Sequence, residues 1–169
     1  MIFGDAPRRQ LGQALGLASL VMAADQASKF WVLRIFDLPG RVSVEILPFF
    51  NLTMVWNAGI SYGLFKQYDP AGQWLIAAFM LGIVGLILFW LIQQPTRLMT
   101  IMAGLVIGGA LGNLYDRLTY GAVVDFIHLH AAGYDWYVFN LADAAIVIGG
   151  GLMILESLFS AQGDGKRTL

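Results

Sequence analysis

Residues 70–117 read PAGQWLIAAFMLGIVGLILFWLIQQPTRLMTIMAGLVIGGALGNLYDR. No charged side chain occurs from Pro70 to Thr96, and none from Leu98 to Tyr115. A helix of about 20 mostly apolar residues crosses roughly 30 Å of hydrocarbon, so each half of this stretch is long enough to span a bilayer. Between them, Gln93-Gln94-Pro95-Thr96 is a short polar turn containing a proline, which makes the two spans a tight antiparallel pair.

Two outer stretches have the same character. Leu11 to Val32 is apolar until Asp25 and Lys29, and Asn140 to Phe159 is apolar except for Asp143 and Glu156. The predicted spans are therefore 11–32, 72–93, 98–116 and 140–159 in one membrane domain, an all-α polytopic protein whose segments 33–71 and 117–139 share one side. The composition agrees. Of 169 residues 58% are hydrophobic and 12% charged, about half the charge that coats an ordinary soluble domain. A soluble monomer is excluded, and 13% aromatic content excludes disorder. A net charge of −1 gives nucleic-acid binding no electrostatic basis. The absence of cysteine removes disulfides, thiolate nucleophiles, Cys-ligated zinc and Cys-linked lipid anchors, so chemistry must come from carboxylates, hydroxyls, Lys or His.

Orientation rests on the distribution of Lys and Arg. Arg8, Arg9, Arg97, Lys166 and Arg167 fall on one side, and Lys29, Arg34, Arg41, Lys66 and Arg117 on the other. The first five are packed into much shorter segments, which places the termini in the cytoplasm. Arg8-Arg9, the apolar stretch after it and Ala23-Ala24 also fit a cleavable signal peptide. Asp25 and Lys29 stand four apart on one helical face, which favours a retained helix ending in a polar site.

Outside the spans, Arg41 to Leu47 alternates with period two and Phe49 to Trp56 follows Pro48, predicting two short strands. They suit either a small sheet on the membrane surface or a platform gripping an extended peptide along its edge. Asn57-Ala58-Gly59-Ile60-Ser61-Tyr62-Gly63 places glycines where backbone bends or approaches a ligand. Gly133 breaks any helix running from the third span to the fourth.

The polar residues collect at one membrane level: Asp25 and Lys29, then Asn113, Asp116 and Arg117, then Asp125, then Asn140 and Asp143. Each has a bland reading. Asp25 with Lys29 makes a local ion pair, Asp116-Arg117 marks the water boundary, and Asn140 with Asp143 forms a capping box on the fourth helix. Gly104, Gly108 and Gly112 form a packing stripe. Together, so many charges on one side of a membrane protein point to chemistry. Two carboxylates in a low-dielectric pocket share one proton, giving a base for water and an acid for a leaving group, as in aspartic peptide hydrolysis. Ser28 beside Lys29, or Ser61 near Lys66, is a poorer Ser/Lys dyad, because adjacent helical residues diverge and Lys66 lies near the loop. His128-x-His130 lacks a third metal ligand. A small transporter or channel subunit relaying protons is the competing class, but it calls for polar residues throughout the membrane depth.

Five blocks in order, Asp25-Gln26-Ala27-Ser28-Lys29, Asn57-Ala58-Gly59, Gly108 to Arg117, Val123-Val124-Asp125-Phe126 and Phe139-Asn140-Leu141-Ala142-Asp143, resemble bacterial lipoprotein signal peptidase, the type II signal peptidase. The resemblance implies four transmembrane helices in the bacterial cytoplasmic membrane, with an outward-facing site above a small extracytoplasmic β-cradle. It implies cleavage of a lipid-modified prolipoprotein before its diacylglyceryl cysteine, among membrane lipids, by a monomer needing no metal or other cofactor. By motif match Asp125 and Asp143 fall on the family's catalytic aspartates. Asp25, Lys29, Asn57, Gly59, Asn113, Asp116, Arg117 and Asn140 fall on its polar surround. Tyr62 stands where the family often shows Phe.

Overall fold

A computed structural model of the chain describes residues 5–59 and 70–164. Ser61, Tyr62, Gly63 and Lys66, singled out above, lie outside the described residues. The first helix, α1, runs Asp5–Phe30 and continues as a wider π turn over Trp31–Ile35, followed by the short α2 at Leu38–Arg41. Strands β1 (Ser43–Leu47) and β2 (Phe50–Asn57) form a hairpin, as the period-two alternation predicts. Helices α3 (Pro70–Gln93) and α4 (Arg97–Tyr120) follow, then β3 (Val123–Ala131), β4 (Tyr134–Asp135) and α5 (Leu141–Asp164).

The turn between α3 and α4 is as short as expected. Thr96 caps α4, its hydroxyl accepting the Met99 N–H at 3.0 Å. At the far end α4 outruns its predicted boundary, so residues 117–120, expected beyond the span, are its last turn. It stops at Gly121, whose φ of +72° is left-handed and whose N–H returns to the Arg117 carbonyl at 3.0 Å. Strands β3 and β4 in segment 117–139 are an addition that periodicity did not reveal. Gly133, at φ +83°, makes the turn between them.

Three helices among the described residues are long and apolar enough to cross a membrane, all but the first turn of α3, α4, and α5 as far as Phe159. In α1, Gln10, Gln13, Asp25, Gln26 and Lys29 dilute the apolar content. Within an 18-residue apolar stretch of each helix, 67% of residues are buried inside the protein in α4, against 22% in α3 and 17% in α5, so α4 is the central post and the others present Phe79, Phe89, Ile148 and Leu155 outward. Its glycines allow that position. A Cβ on Gly108 would meet Ala18 and Val21 of α1, and one on Gly109 would meet the backbone of Ala142 in α5. The apolar core joins Ala14, Ala18, Leu91, Met102 and Ile107 at one end of the bundle.

The sheet, ordered β1-β2-β3-β4 and antiparallel throughout, covers the other end. Val32, Leu38, Leu52, Val124 and Phe126 form its core against the π turn and α2. Register sets the site. Val55 pairs with Asp125 and Asn57 with Val123, so Asn57 and Asp125 are diagonal neighbours on one face.

Candidate active site

Asn140 is where the elements meet. It precedes α5 and is fully buried. Its side-chain oxygen Oδ1 accepts the Asp143 N–H at 2.9 Å while its backbone N–H donates to the Asp143 carboxylate at 3.2 Å, so the predicted capping box is present. Its side-chain NH2 points the other way, donating to Asp125 Oδ1 at 2.6 Å, Asn113 Oδ1 at 3.1 Å and the Val124 carbonyl at 3.3 Å. One asparagine thus links a strand carboxylate to a helix carboxylate.

Every oxygen of the two acids has an N–H donor. Asp125 Oδ2 accepts from Asn57 at 3.0 Å, and Asp143 Oδ1 from Asn113 at 2.7 Å. Among the described residues neither acid makes an ion pair. Asp125 is 1% exposed, and burial first, then the charge of Asp143, push its carboxyl up to about 7 against the hydrogen bonds from Asn57 and Asn140. Asp143 is partly exposed, so the pair opens on its side. Near that opening the Gly59 N–H donates to Asn57 Oδ1 at 3.3 Å, orienting the amide that reaches Asp125. Arg117 lies close enough for its charge to be felt by Asp125 and Asp143; its guanidinium donates to the Asn113 carbonyl at 3.3 Å and rests on Met80 Sδ at 3.8 Å.

A second cluster lies behind the first. Lys29 Nζ sits 2.8 Å from Asp25 and 2.7 Å from Asp116, both fully buried, and donates to Asn113 Oδ1 at 3.3 Å. Asp116 is therefore not a marker of the water boundary, contrary to the bland reading: α4 extends a full turn beyond it and the sheet closes over it. Nor is Lys29 paired with Ser28, whose hydroxyl donates to the Asp25 carbonyl at 2.6 Å. Gln26, part of the first sequence block, joins this cluster. Its amide reaches Asp116 at 2.9 Å, Asp25 at 3.1 Å and the Gly112 carbonyl at 3.2 Å. Spacing of one from Asp25 hid it, since a helix turns neighbours 100° apart and only the partner helix brings them together. A Cβ on Gly112 would come within 2.7 Å of Asp25, so this glycine of the stripe also belongs to the site.

His128 and His130 lie further along β3. His128 is 3.4 Å from Asp135 and 3.3 Å from Thr53, and among the described residues no three acidic or His side chains gather as a metal site.

The family model of signal peptidase (SPase) II matches residues 17–159, which include every residue of both clusters. The chain belongs to the signal peptidase II family. It is 46% identical over 155 residues to a lipoprotein signal peptidase of Methylobacterium sp. (strain 4-46), covering 91% of this chain and 93% of that one. It is 51% identical over 142 residues to one from Nitrobacter hamburgensis, covering 82% and 85%. A bacterial membrane enzyme solved by the in meso method at 2.3 Å resolution superimposes with a TM-score of 0.78 at 28% identity, over 90% of this chain and 91% of that one. The resemblance read from five blocks is borne out across the chain, and the transporter alternative falls with it. Membership makes the chain a membrane peptidase.

Proposed function

We propose that Asp125 and Asp143 are the catalytic pair with which this peptidase removes the signal peptide from a prolipoprotein, cutting before the diacylglyceryl-modified cysteine. The observation that carries the assignment is Asn140, which joins two carboxylates from different elements by amide hydrogen bonds and supplies no cation to either. Such a pair holds one proton between them. Asp125, buried and pushed up to about 7, carries it, and Asp143, partly exposed at the mouth, is placed to take a proton from water. A water between them gives a proton to Asp143 as its oxygen attacks the scissile carbonyl carbon, while Asp125 protonates the carbonyl oxygen. The tetrahedral diol then collapses: the C–N bond breaks, the amine leaves with the proton held by Asp143, and the diol returns one to Asp125. Asp25, Lys29, Asn57, Gly59, Asn113, Asp116, Arg117 and Asn140 support this pair.

The fourth span is α1. Its 26 residues are about 39 Å long at 1.5 Å each, and its Asp25 and Lys29 are buried against α4 rather than exposed to lipid. With four spans in a single domain, and Lys and Arg densest near the termini, both termini are cytoplasmic and the sheet stands outside the cytoplasmic membrane. A monomer is the proposed form, since this chain's own residues supply both aspartates and their donors; the acid–base chemistry of the pair calls for no metal, and a net charge of −1 offers nucleic acid no attraction. The β1–β2 hairpin exposes Ile46, Leu47, Phe49 and Trp56, suited to the lipid surface.

The test is turnover of a lipidated precursor by the purified protein in detergent. Asp125→Asn and Asp143→Asn should each lose on the order of 10³-fold or more in kcat while still binding substrate, and the double variant should be little worse than either. The unlipidated precursor should be cleaved poorly, since each buried CH₂ contributes about 0.8 kcal/mol. Substantial turnover by either single variant would return the two carboxylates to structure.

A further inference from the structure

Each acid of the proposed pair follows a residue whose backbone N–H is held by a buried carboxylate. Val124 N–H, just before Asp125, donates to Asp116 Oδ2 at 3.0 Å. Ala142 N–H, just before Asp143, donates to Asp25 Oδ1 at 3.0 Å. Asp116 belongs to α4 and Asp25 to α1, yet both bind the same ammonium group, Lys29 Nζ, at 2.7 and 2.8 Å. All three side chains are at most 2% exposed.

We infer that Asp25 and Asp116 are positioning residues, a matched pair of anchors that set the separation of Asp125 and Asp143, with Lys29 locking one anchor to the other. The inference rests on the assignment of Asp125 and Asp143 as the catalytic pair. A backbone N–H one residue before a functional side chain fixes the peptide plane from which that side chain springs. Neither anchor touches the reacting atoms. Lys29 holds Asp116 by Oδ2, the same oxygen that accepts the Val124 N–H, and Asp25 by Oδ2 while Asp25 Oδ1 accepts the Ala142 N–H; it also donates to Asn113, which bonds Asp143. The strand acid and the helix acid are thereby referred to one rigid origin, which the Asn140 bridge alone does not provide because it moves with α5. A misplacement near 1 Å in such a pair is enough to cost on the order of 100-fold in rate.

The experiment compares Asp116→Ala with Asp116→Asn, and Asp25→Ala with Asp25→Asn, by kcat, KM, pH–rate profile and thermal unfolding. The Ala variants remove both carboxylate oxygens; the Asn variants keep one oxygen to accept the backbone N–H and lose the charge and the second acceptor. The expected result is a fall in kcat on the order of 100-fold for each Ala variant, with KM within about threefold. A displaced limb of the pH profile should accompany it, with partial recovery in each Asn variant. Equal kcat for Ala and Asn, or a lowered unfolding temperature with wild-type kcat and pH profile in the molecules that remain folded, would overturn it. Should Asp116→Ala not accumulate, Asp116→Glu takes its place: it keeps the charge and moves the acceptor by a methylene, and must be slower than Asp116→Asn. The reverse order would overturn the inference. Asp125→Asn and Asp143→Asn run alongside. If they retain turnover, the catalytic assignment itself has failed; if they are inactive while the anchor variants are unaffected, only the inference has.

Discussion

The same bundle end holds two pairs of aspartates, and they differ in what stands between their members. Between Asp25 and Asp116 lies Lys29, within 2.8 Å of both. Between Asp125 and Asp143 lie the amides of Asn140 and Asn113. Amide donors satisfy oxygens without neutralising them, whereas an ammonium does both. A cation therefore suits the first pair to the framework, and the second pair, which makes no ion pair among the described residues, is the one proposed to share a proton. On this proposal, identical side chains serve as scaffold or reagent according to their neighbours.

The sharpest way to break this contrast is to remove the cation. Lys29→Met leaves two buried carboxylates with no counter-ion, and loss of one partner from a buried ion pair destabilises by about 3–5 kcal/mol. Thermal unfolding in detergent should show that loss, along with lost turnover. An unchanged unfolding temperature would mean that the two pairs are not differently balanced.

Asp125→Asn should instead change how stability depends on pH. The Asp125 carboxyl is raised from 3.8 to about 7 in the folded protein. As pH rises from about 4, the unfolded chain loses this proton while the folded chain keeps it. Stability therefore falls across that window at about 1.4 kcal/mol per pH unit and levels off above it. The variant lacks that slope, so the stability difference between it and the native protein should move in its favour by roughly 2–3 kcal/mol between pH 5 and pH 8, although it is inactive. Unfolding measured at pH 5 and pH 8 checks both statements.

Which parts of this contrast were legible in the sequence follows from sequence separation. The capping box of Asn140 and Asp143 spans three residues and was read directly, as was the Asp25–Lys29 pair on one helical face. The hairpin of β1 and β2 was legible because one face is apolar and the other polar. Val123 to Phe126 is buried on both faces, so β3 begins without alternation and a short apolar run does not distinguish strand from helix. The links that separate scaffold from reagent join Asp25 to Ala142, 117 residues apart, and Gln26 to Asp116, 90 apart. No local pattern encodes them. Asp116 beside Arg117 has the local pattern of an aqueous boundary, and only the burial by β3, whose Val124 N–H it accepts, removes it from water.

Smaller effects sharpen the picture. Gly112→Ala pushes a methyl group toward Asp25, and overpacking of this kind destabilises by about 1–3 kcal/mol. Gly16→Ala meets open space and should be neutral or stabilise by about 0.5–1 kcal/mol, as expected for glycine in a helix. The difference between them, read by thermal unfolding, separates site glycines from idle ones. Least of all, Asp135→Asn on the exposed sheet should change stability by less than about 0.5 kcal/mol despite its 3.4 Å contact with His128.

The contrast is tested most directly by infrared difference spectroscopy of the carboxylic C=O stretch as pH is raised from 5 to 9, in the native protein and in Asp125→Asn. The expected result is one protonated-carboxyl band that disappears around pH 7 in the native protein and is missing in the variant. A native protein with no carboxyl titrating in this range, or a band that persists in Asp125→Asn, would contradict the claim that the pair joined by Asn140 shares a proton.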